Sequence, residues 1–421
     1  MHWRWLALVH YLQDPAISYG FYLLANLDPF DMSDDRFTET TSTGWFSRLG
    51  SSITGILIGG VLLVISTGVL WWNEGRSVAT AKGLAEGAKV TLEAEADMVD
   101  PAKEGKLVHV IGQTTLEGPA ADDAFGIAGP DLVKVRRVVE VFQWVETTQQ
   151  TTRTKLGGGE ETVTEYRYET KWDDELHDSG NFKRPDGHQN PKAKVAAADF
   201  QAEAVSLGAF RLPDFLLSQW NDYQPHTLPD PDKLSEDLRE LATVQEKWLV
   251  LSKKPAAPVP GDARVQFESM KPGEVSVLAR QVKDTFEEYT TQQDTKIGRL
   301  AIGAQSTEAM YAAAKTENTI TAWLLRLGGF LAMLFGFILL FNPLKVLADV
   351  LPWAGKVVGA GTGFIALLLS LAGSLTIISV AWVWYRPLLG ITLLVVVGGL
   401  VYWLKIAVKN KASIPPPIPA K

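Results

Sequence analysis

The sequence predicts an α+β membrane protein with four transmembrane helices and a large β-rich extracytoplasmic domain inserted between helices one and two. Three observations carry that prediction. No charged residue occurs between Arg48 and Glu74, nor between Lys356 and Arg386, and both gaps exceed the roughly 20 residues that a bilayer-spanning helix needs. From residue 73 to about 305 apolar and polar residues alternate at period two, as in half-buried strands. Lysines gather in the short segments that four spans place on one side of the membrane. Composition agrees, with 46% hydrophobic residues in 421 and a mean hydropathy of +0.04 that is high for a soluble protein, and the two charge-free gaps rule out a wholly soluble globule. A net charge of −8 argues against nucleic acid as a partner, because phosphate binding needs basic stripes. The absence of cysteine excludes disulfides, thiolate zinc sites, iron–sulfur ligation and cysteine nucleophiles.

Residues 1–50 are expected to form a cytosolic N-terminal segment. Its first 31 residues are aromatic and apolar, but Gln13, Asp14 and Pro15 interrupt them. Three readings stay open there: an interfacial helix, a fifth membrane segment, or a start-site extension ahead of Met32. Transmembrane helix 1 covers 51–72 and ends in Trp71-Trp72, a pair suited to the headgroup level. Helix 2 covers 319–342 and carries Arg326 close enough to its start to snorkel outward. A cytosolic loop, 343–356, leads to helix 3 (357–385), and Arg386-Pro387 separates it from helix 4 (387–406) as a tight helical hairpin. The tail, 407–421, is basic and proline-rich and favours an extended polyproline form. Lys345 and Lys356 in the loop and Lys405, Lys409, Lys411 and Lys421 after helix 4 mark the cytosolic side. The domain of residues 73–318 therefore faces the opposite side.

Within that domain the alternation predicts strands at 106–116 and 133–147. Two long Thr/Tyr-rich strands, 145–154 and 161–172, flank Lys155-Leu-Gly-Gly-Gly-Glu160 as a hairpin. Later strands are expected at 200–210, 247–251, 263–269 and 274–282, and short helices at 78–87, 213–220 and 233–241. An echo between Gly105–Val110 and Gly261–Phe267, each followed by a valine-rich strand, is no more than chance supplies in a β-rich chain. Ser306 and Glu308 start a helix that runs directly into span 2.

The sequence holds no P-loop, no HExxH and no GxSxG elbow. Gly55 and Gly59 in span 1, and Gly359 and Gly363 at the start of span 3, read as close helix packing through small residues. His177, Asp178, Asp186 and His188 lie in the densest polar stretch, and carboxylates with imidazoles at that density could hold a hard cation or zinc. A solvated loop in an acidic protein, with turns at Gly187 and Asn190-Pro191, is the favoured reading, and no cofactor is expected. His109 belongs within a strand. Arg326, Asn342 and Arg386 are the notable polar groups of the membrane segments, with anchoring as the expected role of both arginines.

Several blocks then fall in one order and spacing: Asn73-Glu74-Gly75-Arg76 after span 1, Leu84-Ala-Glu-Gly87, Glu104-Gly-Lys-Leu-Val-His109, Gln143-Trp144-Val-Glu-Thr147, Gly187-His188-Gln189-Asn190-Pro191, and Tyr385-Arg386-Pro387-Leu388. This combination resembles the LUMA family (transmembrane protein 43) from about Thr43 to Lys409. The resemblance implies four spans with a lumenal or periplasmic domain between the first two. It also implies self-association, and scaffolding at the endoplasmic reticulum and inner nuclear membrane with lamins and emerin as partners of animal members; a channel-related role has been proposed for the family. It supplies no catalytic residue.

The combined expectation is a non-enzymatic multi-pass scaffold that forms homo-oligomers and organises membrane proteins or lipids through its extracytoplasmic domain. The alternative is an ion channel or channel subunit. A metal-dependent activity at the histidine-rich stretch ranks third. A cysteine-free, proline-tailed chain is expected in a bacterial inner membrane with a periplasmic domain, or otherwise in the endoplasmic reticulum or inner nuclear membrane.

Overall fold

The computed structural model describes residues 35–387, with Thr392 and Ile406 beyond them. The readings of residues 1–31, of the tail, and of helix 4 apart from its first residue and those two positions lie outside the described residues. Among the described residues three helices are long and apolar enough to cross a membrane: α1 (Trp45–Val90), α2 (Thr307–Ala348) and α3 (Pro352–Tyr385).

Helix α1 does not stop at the Trp pair. It runs on through the segment expected to be a separate short helix at 78–87, because Ala-rich, proline-free sequence offers nothing to break it. Helix α2 begins as the sequence predicts, with the Ser306 hydroxyl accepting from the Ala309 backbone N–H. It packs antiparallel along α1 and closes with α3 into a three-helix bundle. Gly59 lies so close to the Gly336 carbonyl that a Cβ would sit 2.6 Å from that oxygen, which is how small residues let two backbones approach.

The domain is built from two large sheets and a separate two-stranded sheet, Tyr289–Thr290 with Lys296–Ile297. Its strands, in chain order, are β1 (Arg36–Thr43), β2 (Leu92–Glu95), β3 (Leu107–Glu117), β4 (Lys134–Thr154), β5 (Glu160–Asp173), β6 (Ala198–Gln201), β7 (Ala204–Leu207), β8 (Phe210–Arg211), β9 (Gln224–Pro225), β10 (Ala242–Gln245), β11 (Trp248–Leu251), β12 (Ala263–Met270), β13 (Glu274–Val282), β14 (Thr285–Glu287), β15 (Tyr289–Thr290), β16 (Lys296–Ile297) and β17 (Arg299–Ile302). One large sheet runs β1-β5-β4-β12-β11-β10. The other runs β17-β13-β14-β8-β7-β3-β2, and an added β13–β3 pairing closes five of its strands into a small barrel. The barrel is filled by Val108, Val110, Leu207, Phe210, Val277 and Phe286. The first sheet covers a second core around Phe125, Val141, Leu251, Val265 and Phe267. A third cluster, with Leu84, Leu107, Leu278, Ile297, Met310 and Tyr311, glues the domain ends of α1 and α2 to the barrel. Helices and domain therefore share one core.

The predicted strands at 106–116, 133–147, 247–251, 263–269 and 274–282 are present within a residue or two, apart from the longer extent of β4. The stretch 200–210 breaks into three short strands, since Gly208 turns the chain with φ of +58°. The two short domain helices shrink to single turns at Asp214–Leu217 and Glu236–Arg239. The largest departure is β1. A segment expected to be plain cytosolic sequence pairs antiparallel with β5 over its whole length, from Arg36 opposite Arg167 to Thr43 opposite Glu160.

Candidate functional site

The Asn73-Glu74-Gly75-Arg76 block sits on α1 where the lipid-facing stretch gives way to the domain. Helical spacing turns Asn73 and Glu74 inward, and both are fully buried. Glu74 accepts three hydrogen bonds from two side chains. Arg326 of α2 grips it with one edge of its guanidinium, Nε donating to Oε1 at 2.6 Å and Nη2 to Oε2 at 2.9 Å, and Trp382 of α3 donates its indole N–H to Oε2 at 2.7 Å. The Arg326 guanidinium lies 4.8 Å from the Trp323 ring and 5.8 Å from the Trp382 ring. The expected snorkelling of Arg326 is thus corrected: its side chain is only 13% exposed and turns inward, because a bidentate carboxylate partner outweighs the route to water.

The neighbours extend this network. Asn73 donates to the Ala322 carbonyl at 3.0 Å, Arg76 donates to Asn318 Oδ1 at 3.0 Å and to Asn73 Oδ1 at 3.2 Å, and Asn318 donates to the Ser77 carbonyl at 3.0 Å. Gly75 faces Tyr385, whose ring carbon would lie 2.8 Å from a Cβ there. Arg386 stacks toward Trp382 at 6.0 Å, and Pro387 is exposed just beyond. The two family blocks at opposite ends of the chain, around Glu74 and around Tyr385, therefore meet in one place. The sequence marked Glu74 and Arg326 separately but not their pairing with each other or with Trp382, across 252 and 308 residues.

A second cluster forms at the base of the long hairpin. His188 is 4% exposed and stacks on Tyr168 at 4.0 Å, with the Trp144 ring edge-on at 4.8 Å. Its Nδ1 faces the Arg184 carbonyl at 2.8 Å and its Nε2 faces Asp35 Oδ2 at 2.7 Å. Asn190 clamps the backbone of Trp144, accepting from its N–H at 2.8 Å and donating to its carbonyl at 2.9 Å. Gly187 turns with φ of +88°, and Pro191 packs near Gly261. The Tyr168 hydroxyl donates to Glu146, and burial together with that bond pushes its ionisation up to about 12.

The four candidate metal ligands are dispersed among other duties. His177 contacts Asp173 at 3.2 Å, Asp178 caps a short 3-10 turn, Asp186 is exposed, and His188 pairs with Asp35. No group of three or more metal-ligating side chains occurs among the described residues. Of the packing glycines, Gly55 and Gly59 meet Leu339 and Gly336 of α2, Gly359 lies beside Lys345, and Gly363 has open space around it. His109, 1% exposed, bridges Glu93 at 2.7 Å and the Gln305 carbonyl at 3.0 Å. A groove of about 550 Å³ at the domain edge brings His226 Nδ1 within 3.0 Å of Ser269 Oγ. There Ser269 is buried and Asp131 is spent on Lys271 at 2.8 Å. Burial holds the His226 imidazole below its ordinary range.

A third cluster lies at the other end of the bundle. Arg48, 8% exposed, binds Asp349 at 2.6 Å and Glu160 at 2.6 Å and donates to the Gly158 carbonyl. Trp45 donates to the Val346 carbonyl at 2.8 Å, and the Gly157 N–H donates to the Val350 carbonyl at 3.1 Å. Gly157 and Gly158 both adopt positive φ, and the bare face of Gly158 rests on the Trp45 indole.

Long apolar helices stapled by buried ion pairs and continuous with a β-rich domain define an integral membrane protein. The family model described as transmembrane protein 43 matches residues 141–387. The rat transmembrane protein 43 is 32% identical over 368 residues, covering 84% of this chain and 90% of its own length. The human protein is 31% identical over the same shares, and the Drosophila melanogaster homolog 28% identical over 80% of this chain and 91% of its own. The chain belongs to the transmembrane protein 43 family. No solved structure matches it significantly. These relatives are animal proteins, so the expected bacterial inner membrane finds no support, whereas membrane residence does.

Proposed function

We propose that this protein is a non-enzymatic membrane scaffold that self-associates and organises membrane proteins or lipids through its β-rich domain. One observation carries the reading. Glu74, Arg326 and Trp382 satisfy one another across three helices, so the strongest polar groups near the membrane are consumed in holding the bundle together. The shared core around Leu84, Ile297 and Tyr311 packs the domain onto the helix ends, which suits a scaffold that presents its domain from the membrane. Surface remains for partners: Phe364, Leu368 and Leu375 of α3 and Leu57 and Val64 of α1 are all exposed. The lysine-rich flanks favour the extracytoplasmic side for the two sheet cores, in an endoplasmic reticulum or inner nuclear membrane on the family's pattern. Cross-linking of the full chain in its membrane, followed by sizing in mild detergent, tests the reading. Discrete oligomers support it, and monomers at every protein concentration overturn its self-association.

The second reading, an ion channel or channel subunit, draws on the same ion pair, because ionisable residues at membrane depth are functional by default. Arg326→Ala and Arg386→Ala test it by their effect on ion flux.

A further inference from the structure

The hairpin of β4 and β5 pairs without interruption from Val141 opposite Asp173 to Thr154 opposite Glu160, and β1 adds a third strand beside β5. Its root lies in the domain, where β4 pairs with β12. Its tip docks on Trp45, Arg48, Asp349 and Val350, at the opposite end of the bundle. The two routes are of similar length. From Arg48 to Asn73 the helix rises about 37 Å at about 1.5 Å per residue. From Thr154 to Val141 the ribbon extends about 43 Å at about 3.3 Å per residue.

Between those ends α1 presents Leu57, Val61 and Val64, each more than half exposed, which is a lipid-facing surface. The ribbon alongside is its chemical opposite. Thr147, Thr148, Gln149, Gln150, Thr151, Thr152 and Arg153 are all exposed. Lys183 pairs with Glu39 on the same ribbon, and Glu165 pairs with Arg167. Strand backbone and charged side chains at membrane depth are tolerated only where protein covers them or water fills the space.

We propose that the β1-β5-β4 ribbon lines a water-filled cleft at membrane depth, open toward the domain and closed at the far end by the Arg48, Asp349 and Glu160 cluster. The occupant is water with small hydrated solutes. The far-end cluster seals it, since Arg48 and Asp349 are 8% and 3% exposed and Trp45 lies across the tip glycine. The inference rests on α1 and α2 being membrane spans, and it holds under either functional reading.

The chain has no cysteine, so single thiols report without background. Full-length protein in phosphatidylcholine/phosphatidylglycerol liposomes is reacted with a charged, membrane-impermeant methanethiosulfonate. Thr148→Cys and Gln150→Cys probe the ribbon, Leu57→Cys and Val64→Cys the lipid face, and Lys253→Cys the open domain surface. Two pairs, Gly157→Cys with Val350→Cys and Thr41→Cys with Thr162→Cys, are oxidised to test the docked tip. The second pair keeps the test valid if the turn rejects a side chain at Gly157. The proposal expects at least one pair to close in the membrane, and the ribbon thiols to react as fast as Lys253→Cys. Thiols at the lipid face should react about a hundredfold more slowly, because apolar surroundings suppress the thiolate. Ribbon thiols as slow as those of the lipid face overturn the proposal. So do fast ribbon thiols when both pairs stay open, which places the ribbon outside the bilayer with its tip undocked.

Discussion

Removing Arg326 is the sharpest perturbation of the junction. Arg326→Met keeps much of the side chain's length but leaves Glu74, fully buried, with one indole donor in place of three hydrogen bonds. Stranding one member of a buried ion pair costs about 3–5 kcal/mol. For a cooperative unit of 421 residues that corresponds to a fall of about 3–6 °C in Tm. Combining Arg326→Met with Glu74→Leu removes both charges, and apolar replacement of a whole buried pair is close to neutral, within about 1 kcal/mol. The double variant should therefore unfold near the wild type and well above either single variant. Thermal unfolding in one detergent, followed by tryptophan fluorescence, reads this directly because Trp323 and Trp382 flank the guanidinium. A single Arg326→Met variant within about 1 kcal/mol of wild type refutes the reasoning, as does a double variant less stable than both singles.

Other outcomes follow from the same geometry. Gly59→Ala puts a methyl against the Gly336 backbone oxygen, which cannot rotate away, and should cost about 1–3 kcal/mol in detergent unfolding, while Gly60→Ala, in open space, should cost nothing. Burial works to raise the Asp173 pKa, but hydrogen bonds from Lys171, His177 and the Glu175 backbone outweigh it and hold the carboxyl at about 2. A depressed carboxyl stabilises the fold above its unfolded pKa near 4 and loses that contribution as pH falls toward 2. Acid unfolding of Asp173→Asn should accordingly be shallower in that window, by about 1 kcal/mol at most after solvent screening. Tyr168→Phe forfeits the bonds to Glu146 and from the Arg184 N–H and should lower stability by about 1 kcal/mol; ultraviolet titration of the wild type should show one tyrosine ionising near 12.

Much of the architecture was legible because its signals are local. Charge-free runs announce α1 and α3, an apolar run with the single charge Arg326 announces the span of α2 and Ser306 its start, and Lys155 to Glu160 announces the long hairpin. The β1 strand was not legible. Arg36–Thr43 is polar with little alternation of its own, and it is extended because β5 offers it a partner more than 100 residues later. The run-on of α1 past Trp72 was hidden by the same logic that located the membrane, which reads hydropathy and not helix continuity. At the site, the family blocks pointed to Glu74, Trp144, His188, Asn190 and Tyr385, all of which make specific contacts. What sequence could not show was pairing. Arg326 reads as a snorkelling residue until Glu74 is brought beside it, and His177, Asp178, Asp186 and His188 stand close in sequence although His177, Asp178 and His188 turn to different partners and Asp186 is exposed.

The central claim is that the polar groups near the membrane hold the helices together and do not conduct. Ion flux from liposomes carrying oriented, folded full-length protein tests it most directly. The account predicts liposomes as tight as protein-free ones for wild type. Flux that depends on wild-type protein and changes with Arg326→Ala or Arg386→Ala would contradict it and put the channel reading first.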